Sequence, residues 1–408
     1  MSATRSEASG PASGAGGGQA AETPTADREL KRLLGQLFDP NIGFPDRPVF
    51  VQDLDAFEMP DGLGFQFRGL EAPIILRGES AGAVVAHLRA ALDGRLTREE
   101  VVRAGPPSVP ATAFVRALLL LHSKGLLVAA DPPPSRPAVS LDGATLSRQL
   151  LYWGRHLGIT RSAGSAPEIE RRLEMARLIL IGGGMFGAAT CDLLGRSGFR
   201  HLEVLGWNDD GAIEQSVGLS PQGPIGFRRM PTTAIDPALK LLRDWIGSAD
   251  LLVTATTDAP ARLFEGINEL ALMAARPWLY GNADGSALDI GPLVLPYETG
   301  CFACLDLRRK SAREFAFENE FHEERLATER DAARRVLAGE AVWPASLGAS
   351  LLVGEACRLI TGLAPPTLTD TMLQVLPVTG TMEWNRFNRV PRCPACYRGA
   401  IPAAEVAC

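Results

Sequence analysis

The front of the chain, residues 46–130, alternates short strand-like runs with helical patterns. Runs rich in β-branched and aromatic residues, bounded by Gly and Pro, predict strands in "PVFVQDLDAFEM", "LGFQFRGL" and "APIILRG". Apolar residues at three- and four-residue spacing then predict helices in "SAGAVVAHLRAALDG", "TREEVVRAG" and "PATAFVRALLLLHSKGLL". Because "GLLVAA" returns as a strand, the order of elements indicates a winged-helix domain of the α+β class.

Beyond residue 143 the pattern changes to strands that alternate with longer helices. "LSRQLLYWGRHLGI" and "EIERRLEMA" predict helices, and "RLILIGGGMFGAATCDLLGRSGF" predicts a strand, a glycine turn and a helix. Further strands are predicted in "HLEVLGW", "ADLLVTATT" and "PWLYGNA", with a helix in "APARLFEGINELALMAA". Such alternation predicts an α/β fold with a mostly parallel sheet covered on both faces.

Stretches rich in small residues and proline divide the chain. Residues 1–27 are rich in Gly, Ala and Ser, so we expect a disordered tail there. Clustered prolines in 131–143 favour extended backbone and predict a linker. The predicted domains are therefore a winged helix over 28–130 and an α/β domain over 144–408.

Composition and charge narrow the class of protein. Apolar residues make up 46% of the 408 residues, charged residues 22%, and the net charge is -6, as in an ordinary globular protein. The sequence has no signal peptide and no run of about 18 apolar residues, so we expect a cytoplasmic protein without a membrane span. The last helix of the winged-helix domain carries only Arg116 and Lys124 as cations, which argues against nucleic-acid binding.

Two CxxC motifs are the strongest chemical signal. Cys301 and Cys304 form the first, in "GCFACLDLRR", and Cys393 and Cys396 form the second, in "RCPACYRG". Because each pair can bind one tetrahedral ion from a single turn, the two pairs predict a closed four-cysteine zinc site. Such a site leaves no position for water, so the predicted zinc is structural and ties the last residues to the middle of the chain. Four unligated thiols are the alternative.

A glycine-rich loop follows the strand "LILI". Gly182, Gly184 and Gly187 fit GxGxxG, in which glycines let phosphate approach the N–H groups at the start of a helix. A dinucleotide site also needs an acid at the end of the second strand, to accept from the ribose. Here that strand ends "LGWN", and Asp209 and Asp210 come after it. Two alternatives stay open: a phosphate site, or glycines that only let helix and strand pack closely.

From about residue 177 to 399 the chain resembles the ThiF-like branch of the ubiquitin-activating enzyme superfamily, which adenylates protein and peptide C-termini. The segments that carry the resemblance are "GGGMFG", "ADLLVTATTDAPARLFEGINELAL", "GCFACL", "WPASLGASLLVGEACRLITGL" and "CPAC". The resemblance implies a Rossmann-type, mostly parallel sheet. It also implies a nucleotide site whose residues would be Gly182, Gly184, Gly187, Asp258 and Arg262.

Several positions depart from the pattern of active family members. Active members resemble one another in a second strand that ends Asp-x-Asp and is followed by an Arg, whereas the corresponding positions here are Gly206 and Asn208. Asp258 matches the magnesium-side aspartate, but its partner Asn is replaced by Ala259. Each lost charged partner costs about 1–3 kcal/mol. We therefore do not expect this chain to use ATP.

A winged helix ahead of a degenerate ThiF-like domain with four cysteines resembles a narrower group, the leader-peptide-binding partners of YcaO-type azoline cyclodehydratases. There the winged helix is called a RiPP recognition element. The resemblance implies that the leader of a ribosomally made precursor adds a strand beside the third strand and packs against the third helix. A separate YcaO-type enzyme would then form thiazoline and oxazoline rings with ATP. The implied peptide-binding residues are Pro73, Ile74, Ile75, Leu76, Arg77, Phe114, Leu118 and Leu121.

Some alternatives remain open from the sequence. The three helix residues of the peptide site could equally belong to the core, and ThiF-like relatives imply a homodimer. An active adenylating enzyme could hold the ribose through a displaced acid such as Asp209, and a nicotinamide-dependent dehydrogenase is a weaker alternative. Cys191 and Cys357 are typical of small buried residues. The charged run 308–337 predicts a solvated helix or helix pair.

Overall fold

The computed structural model describes residues 23–51, 54–60, 64–70, 73–78, 81–130, 143–160, 162–207, 211–219, 226–230, 235–284, 286–312 and 340–397. The chain divides into two compact units, Met1–Ala130 and Asp131–Cys408, which we call the front unit and the rear unit. The division falls at the start of the proline-rich stretch.

The front unit combines short strands with amphipathic helices. Its helices are α1 (Thr23–Leu37), α2 (Ala81–Ala91), α3 (Arg98–Arg103) and α4 (Ala111–Ser123). Its strands are β1 (Pro48–Phe50), β2 (Asp55–Glu58), β3 (Gly64–Arg68), β4 (Ile74–Arg77) and β5 (Leu127–Ala129). β1 pairs antiparallel with β5, and β2, β3 and β4 form a separate antiparallel sheet in that order.

The core of the front unit lies around α4. The apolar residues of α4 and those of α2 recur at helical spacing and are buried in one cluster with Phe67 of β3. Two sequence expectations differ from the structure. The first predicted strand is two strands, because β1 and β2 pair in different sheets. Helix α1 begins at Thr23, inside the predicted tail, because Leu33 and Leu37 bury one face of it in this core.

The rear unit is built on one large sheet. Its helices are α5 (Gly143–Thr160), α6 (Ala166–Met175), α7 (Gly184–Arg196), α8 (Ala212–Leu219), α9 (Ile235–Ile246), α10 (Ala261–Met273), α11 (Phe302–Ala312) and α12 (Val342–Thr361). Its strands are β6 (Arg177–Gly182), β7 (His201–Trp207), β8 (Gly226–Met230), β9 (Leu251–Thr257), β10 (Trp278–Asp284), β11 (Ala287–Val294), β12 (Thr371–Leu376) and β13 (Thr381–Arg386).

The strand order of this sheet is β13-β12-β11-β10-β9-β6-β7-β8. Strands β8, β7, β6, β9 and β10 are mutually parallel, and β11, β12 and β13 extend the sheet by antiparallel pairing. The chain leaves β6 towards β7 and later returns to β6 through β9, so the strand order reverses at β6. The carboxyl end of β6 is therefore the switch point at which such folds bind ligands. The predicted mostly parallel α/β fold is confirmed.

The sequence patterns located about half of the rear-unit elements. They missed β8, α8, α9 and the antiparallel strands β11 to β13. Strand β11 is almost wholly buried and β13 is exposed at all six residues, so neither shows the alternation that marks a half-buried strand. Most of the charged run, 313–337, lies outside the described residues. Across the described residues, no helix is long and apolar enough to cross a membrane.

Candidate functional site

The four cysteines predicted to bind metal converge in the rear unit. Cys301 lies directly before α11 and Cys304 in its first turn, whereas Cys393 and Cys396 lie in the turns after β13. All four side chains are at most 1% exposed. Their sulfur atoms lie within 4.8 Å of one another, so the cluster could hold a metal ion.

The spacing of the sulfurs suits a tetrahedral ion. Cys301 Sγ lies 3.8 Å from Sγ of both Cys304 and Cys393, and Cys304 Sγ lies 3.6 Å from Cys396 Sγ. Four thiolates at about 2.3 Å from zinc would form a tetrahedron with edges of about 3.8 Å. The separations are too long for disulfide bonds, and all four cysteines are free thiols. The donor set therefore fits zinc in size and chemistry.

N–H groups around the cluster favour thiolates over thiols. The backbone N–H of Val390 donates to Cys304 Sγ, and Arg389 Nε donates to Cys396 Sγ, both at 3.3 Å. The other guanidinium nitrogens of Arg389 donate to the carbonyls of Tyr297 and Cys396, at 3.0 Å each. The hydrogen bond from the Cys301 thiol and the one from Val390 lower the pKa of Cys304, whereas the bond to Cys304 raises the pKa of Cys301 and burial raises that of Cys396. Such outer contacts typically orient metal ligands and stabilise their charge.

The cluster lies at the edge of the sheet where the parallel strands begin. Phe302, inside the first CxxC motif, packs against Trp278, the first residue of β10, with ring centroids 5.6 Å apart. Its N–H donates to Asn268 Oδ1 of α10 at 3.0 Å. Asn268 is 1% exposed, and this hydrogen bond positions α11. The cysteine cluster therefore connects helices and strands at the end of the sheet that lies opposite the switch point of β6.

The glycine turn lies at the opposite edge, where the parallel strands end. Gly182 is the last residue of β6, and Gly187 lies in the first turns of α7. A Cβ on Gly187 would lie 2.8 Å from the carbonyl carbon of Gly182 and 2.9 Å from the carbonyl oxygen of Ala255. Because these are backbone atoms that cannot move aside, both glycines serve close packing of α7 on the sheet. Close packing at this pair is common to both alternatives, because a phosphate-binding turn of this type needs the same contact.

Gly184 has a different role from the other two glycines. Its φ of +64° lies in the left-handed region that favours glycine, and it begins α7. A Cβ there would lie 2.5 and 2.6 Å from the two carboxylate oxygens of Glu340. Glu340 Oε2 accepts from the backbone N–H of Met185 at 2.8 Å, and Oε1 accepts from the hydroxyl of Thr257. A carboxylate is thus held at the N-terminus of α7.

Sequence reasoning did not identify Glu340 or Thr257. Glu340 comes 155 residues after Met185 and 83 after Thr257 in the chain, so no local motif joins them. Only the position of Glu340 three residues before the segment "WPASLG", which resembles the late helix of the family, could have pointed to it.

Of the other positions implied to bind a nucleotide, Asp258 directly follows Thr257, and the ribose acid would lie at the tip of β7. Among the described residues the tip of β7 ends in Leu205, Gly206 and Trp207, which are buried and carry no acid. Asp209 and Asp210 lie outside the described residues. Asp258 follows β9 with φ 49°, and its N–H donates to the carbonyl of Ala283 at 2.8 Å. Arg262, in the first turn of α10, is exposed.

In the front unit the strand implied to bind a peptide lies at a sheet edge. Among the described strands β4 pairs only with β3. Leu76 is 8% exposed and belongs to the core, whereas Ile75 on the opposite face of the strand is 47% exposed. Pro73 and Arg77 are exposed and Ile74 is half-buried. Among the described residues no strand therefore lies along the second edge of β4, and the Ile75 side chain is exposed.

The helix residues of the implied peptide site are in the core. Phe114, Leu118 and Leu121 are 1%, 0% and 0% exposed. Phe114 also packs edge-on against His87 of α2, with centroids 5.8 Å apart. Of the two alternatives that the sequence left open for these residues, the structure places them in the core, because the apolar face of α4 is covered by its own unit.

Cys191 and Cys357 are the two cysteines of the described residues that lie outside the cluster. Burial raises the pKa of both Cys191 and Cys357 to about 12, which keeps them as neutral thiols at physiological pH. His122, at 4% exposure, packs in the core, and its Nε2 lies 3.1 Å from the carbonyl oxygen of Ile42.

No family model and no curated protein matches the chain, but solved structures match its fold. Escherichia coli MccB solved with ATP is 15% identical over 86% of this chain and 99% of its own, with a TM-score of 0.59. The microcin C7 biosynthetic enzyme MccB in complex with N-formylated MccA is 14% identical, with the same coverage and a TM-score of 0.60. The heterocyclase TruD is 19% identical over 86% of this chain but only 43% of its own, with a TM-score of 0.54.

At these identities the likeness shows the fold alone. The rear unit makes up about two thirds of the chain, so a match over 86% also includes part of the front unit. The predicted Rossmann-type, mostly parallel α/β fold with a four-cysteine cluster is confirmed, and the MccB structures share this fold. The winged-helix class of the front unit and the peptide-binding residues stay predictions.

Proposed function

We propose that this chain captures the leader of a ribosomally made precursor peptide and presents the core of that peptide to a separate YcaO-type, ATP-dependent cyclodehydratase. The front unit would act as the RiPP recognition element, with a winged-helix fold. The rear unit would be a non-catalytic body stabilised by a structural zinc ion in the four-cysteine cluster.

The observation that carries this proposal is the open edge of β4. An exposed edge offers N–H and C=O groups that an extended peptide can pair with, as an added strand. Ile75 projects from this strand into solvent and would select an apolar leader side chain. At the other edge of the sheet, Arg89 of α2 donates to the carbonyl of Ala56 in β2 at 3.4 Å. The β2 edge is thus partly satisfied, which favours β4 as the docking strand.

Two of the structural neighbours support the proposed role in peptide modification. The microcin C7 biosynthetic enzyme MccB has been solved in complex with N-formylated MccA, and TruD is described as a heterocyclase. This chain spans 43% of the length of TruD. The described tip of β7, without an acid for the ribose, supports a rear unit that does not use ATP itself.

The test measures binding of a fluorescent synthetic leader, taken from a small precursor encoded beside this chain, by fluorescence polarisation. We expect Ile75→Glu to raise the Kd about tenfold or more, which corresponds to about 1.4 kcal/mol. Because Ile75 is exposed, this variant should melt like the parent.

Phe57→Glu is the matched control for this measurement. Phe57 is 45% exposed and shares the outer sheet face with Ile75, but it lies on β2, at the opposite edge. A leader that binds beside β4 should tolerate this variant. Equal affinity of the parent and Ile75→Glu for the leader would exclude the β4 edge as the docking strand.

An active adenylating enzyme is the second candidate function. It is favoured by the match to nearly the whole of MccB, which has been solved with ATP. The two functions differ in one assay. Exchange of labelled pyrophosphate into ATP by the isolated chain, with precursor present, would establish adenylation and reject the non-catalytic rear unit. We expect no exchange above that of a no-protein control.

A further inference from the structure

The N-terminus of α7 holds a carboxylate of the chain itself. α7 has 13 residues, and the backbone N–H of its second residue, Met185, donates to Glu340 Oε2 at 2.8 Å. The hydroxyl of Thr257, the last residue of β9, donates to the other carboxylate oxygen. The two donors come from different elements and converge on one anionic group. We call Gly184, Met185 and Thr257 the anion seat.

The seat combines three features that favour an anion. The start of a helix carries partial positive charge and N–H groups without intrahelical partners. The hydroxyl of Thr257 adds a donor that does not belong to the helix. Gly184 lets the anion approach the backbone, since a Cβ there would lie 2.5 Å from Glu340 Oε2. The close approach would be impossible with any other residue at that position.

These positions coincide with those at which a GxGxxG turn holds nucleotide phosphate. In such turns phosphate oxygens accept from the N–H groups at the start of the helix that follows the first strand. A phosphate oxygen bound to Met185 would have to occupy the place of Glu340 Oε2. It would also bring a second negative charge against the carboxylate. Glu340 and a phosphate group therefore exclude each other.

We infer that Glu340 is a tethered ligand of the anion seat, and that it shuts out phosphate groups that the seat would otherwise bind. Glu340 lies two residues before the start of α12, whose Gly348 packs on α7 so closely that a Cβ would lie 2.8 Å from the Phe186 ring. This packing holds the carboxylate near the seat. A ligand attached to the same chain competes at high effective concentration. The inference deepens the proposed function, on which it rests, by giving a physical cause for a rear unit that does not use ATP.

The experiment uses the full chain and inorganic pyrophosphate without magnesium as the probe, followed by isothermal titration calorimetry and thermal melting. We expect Glu340→Ala to bind pyrophosphate at least about tenfold more tightly than the parent. Its melting temperature should rise with pyrophosphate, whereas that of the parent should not. Glu340→Gln should show a smaller gain, because the amide removes the charge but still fills the seat.

Glu265→Ala is the control for a general loss of negative charge, since Glu265 is exposed on α10. It should bind pyrophosphate as weakly as the parent. Thr257→Val in the Glu340→Ala background removes one donor of the seat and should reverse at least half of the gain in binding free energy. Equal pyrophosphate affinity of the parent and both Glu340 variants would overturn the inference, and so would a gain that Thr257→Val leaves unchanged.

Failure of this inference and failure of the proposed function give different results. Exchange of pyrophosphate into ATP by the parent chain would reject the non-catalytic rear unit, whatever the Glu340 variants bind. If the parent shows no exchange and the Glu340 variants gain no affinity, the rear unit is still non-catalytic. In that case only the role of Glu340 is wrong.

Discussion

The two sequence motifs of the rear unit lie at opposite ends of its parallel strands. The two sites differ in whether the motif supplies every residue that forms them. The four-cysteine cluster, where the parallel strands begin, contains only residues that the CxxC motifs name. The glycine turn, where those strands end, is completed by Glu340, which no motif names. In the first region the motif defines the whole site. In the second it defines the backbone and leaves the occupant undetermined.

The difference follows from what each motif encodes. A CxxC pair supplies two ligands from one turn, so two pairs meet the full requirement of a tetrahedral ion. GxGxxG encodes a close approach of backbone and a set of N–H donors, but any anion of suitable size satisfies them. Here the structure satisfies them with a side chain from before α12. A glycine motif is therefore evidence for an anion seat and not for a nucleotide.

The largest effect is expected from breaking the cysteine cluster. Cys301→Ser or Cys393→Ser should remove the metal and unfold much of the rear unit. Structural zinc contributes on the order of 10 kcal/mol to folding, and a typical domain is stable by about 5–15 kcal/mol. The measurement is zinc per chain by elemental mass spectrometry, together with thermal melting followed by circular dichroism.

Cys357→Ser controls for the loss of a thiol, because Cys357 lies in α12 and outside the cluster. It should retain full zinc and melt within a few degrees of the parent. A Cys301 or Cys393 variant with parental zinc content and melting temperature would show that the cluster has no structural metal.

How much of these regions the sequence predicts depends on how far apart in the chain the contacting residues lie. Four of the five parallel strands, the helix after the glycine turn and all four cysteines follow from short patterns. The antiparallel strands β11 to β13 do not, because their burial is set by neighbours distant in sequence. The same holds for Glu340. Periodicity also could not decide whether Phe114, Leu118 and Leu121 face a partner or their own core, since both need the same spacing.

A smaller effect is expected at the glycine turn. Gly187→Ala would place a Cβ 2.8 Å from the carbonyl carbon of Gly182, so α7 must shift away from the sheet. Overpacking of this kind costs about 1–3 kcal/mol. Urea unfolding followed by circular dichroism measures this cost as a lower midpoint at unchanged slope.

Gly154→Ala is the matched substitution. Gly154 lies in α5, and a Cβ there would meet nothing within 4 Å. It should stabilise the rear unit by about 0.5–1 kcal/mol, since alanine loses less conformational freedom than glycine in a helix. Similar effects of the two variants on the urea midpoint would mean that the contact between α7 and β6 is not tight, and that the motif is free of packing constraints.

The smallest effect is expected from the groups that donate hydrogen bonds around the cysteines. Arg389→Lys keeps the positive charge but cannot donate to Cys396 Sγ and to two carbonyls at once, as the guanidinium does. We expect zinc affinity to fall about tenfold, the lower end of the range for such outer contacts. Competition with a chromogenic chelator measures this change. Arg386→Lys, at an exposed position of β13, should leave the affinity unchanged.

If Arg389→Lys holds zinc as tightly as the parent, the charge of Arg389 suffices and its hydrogen bonds contribute nothing to metal binding. The cysteine motif would then define its site without help from the residues around it.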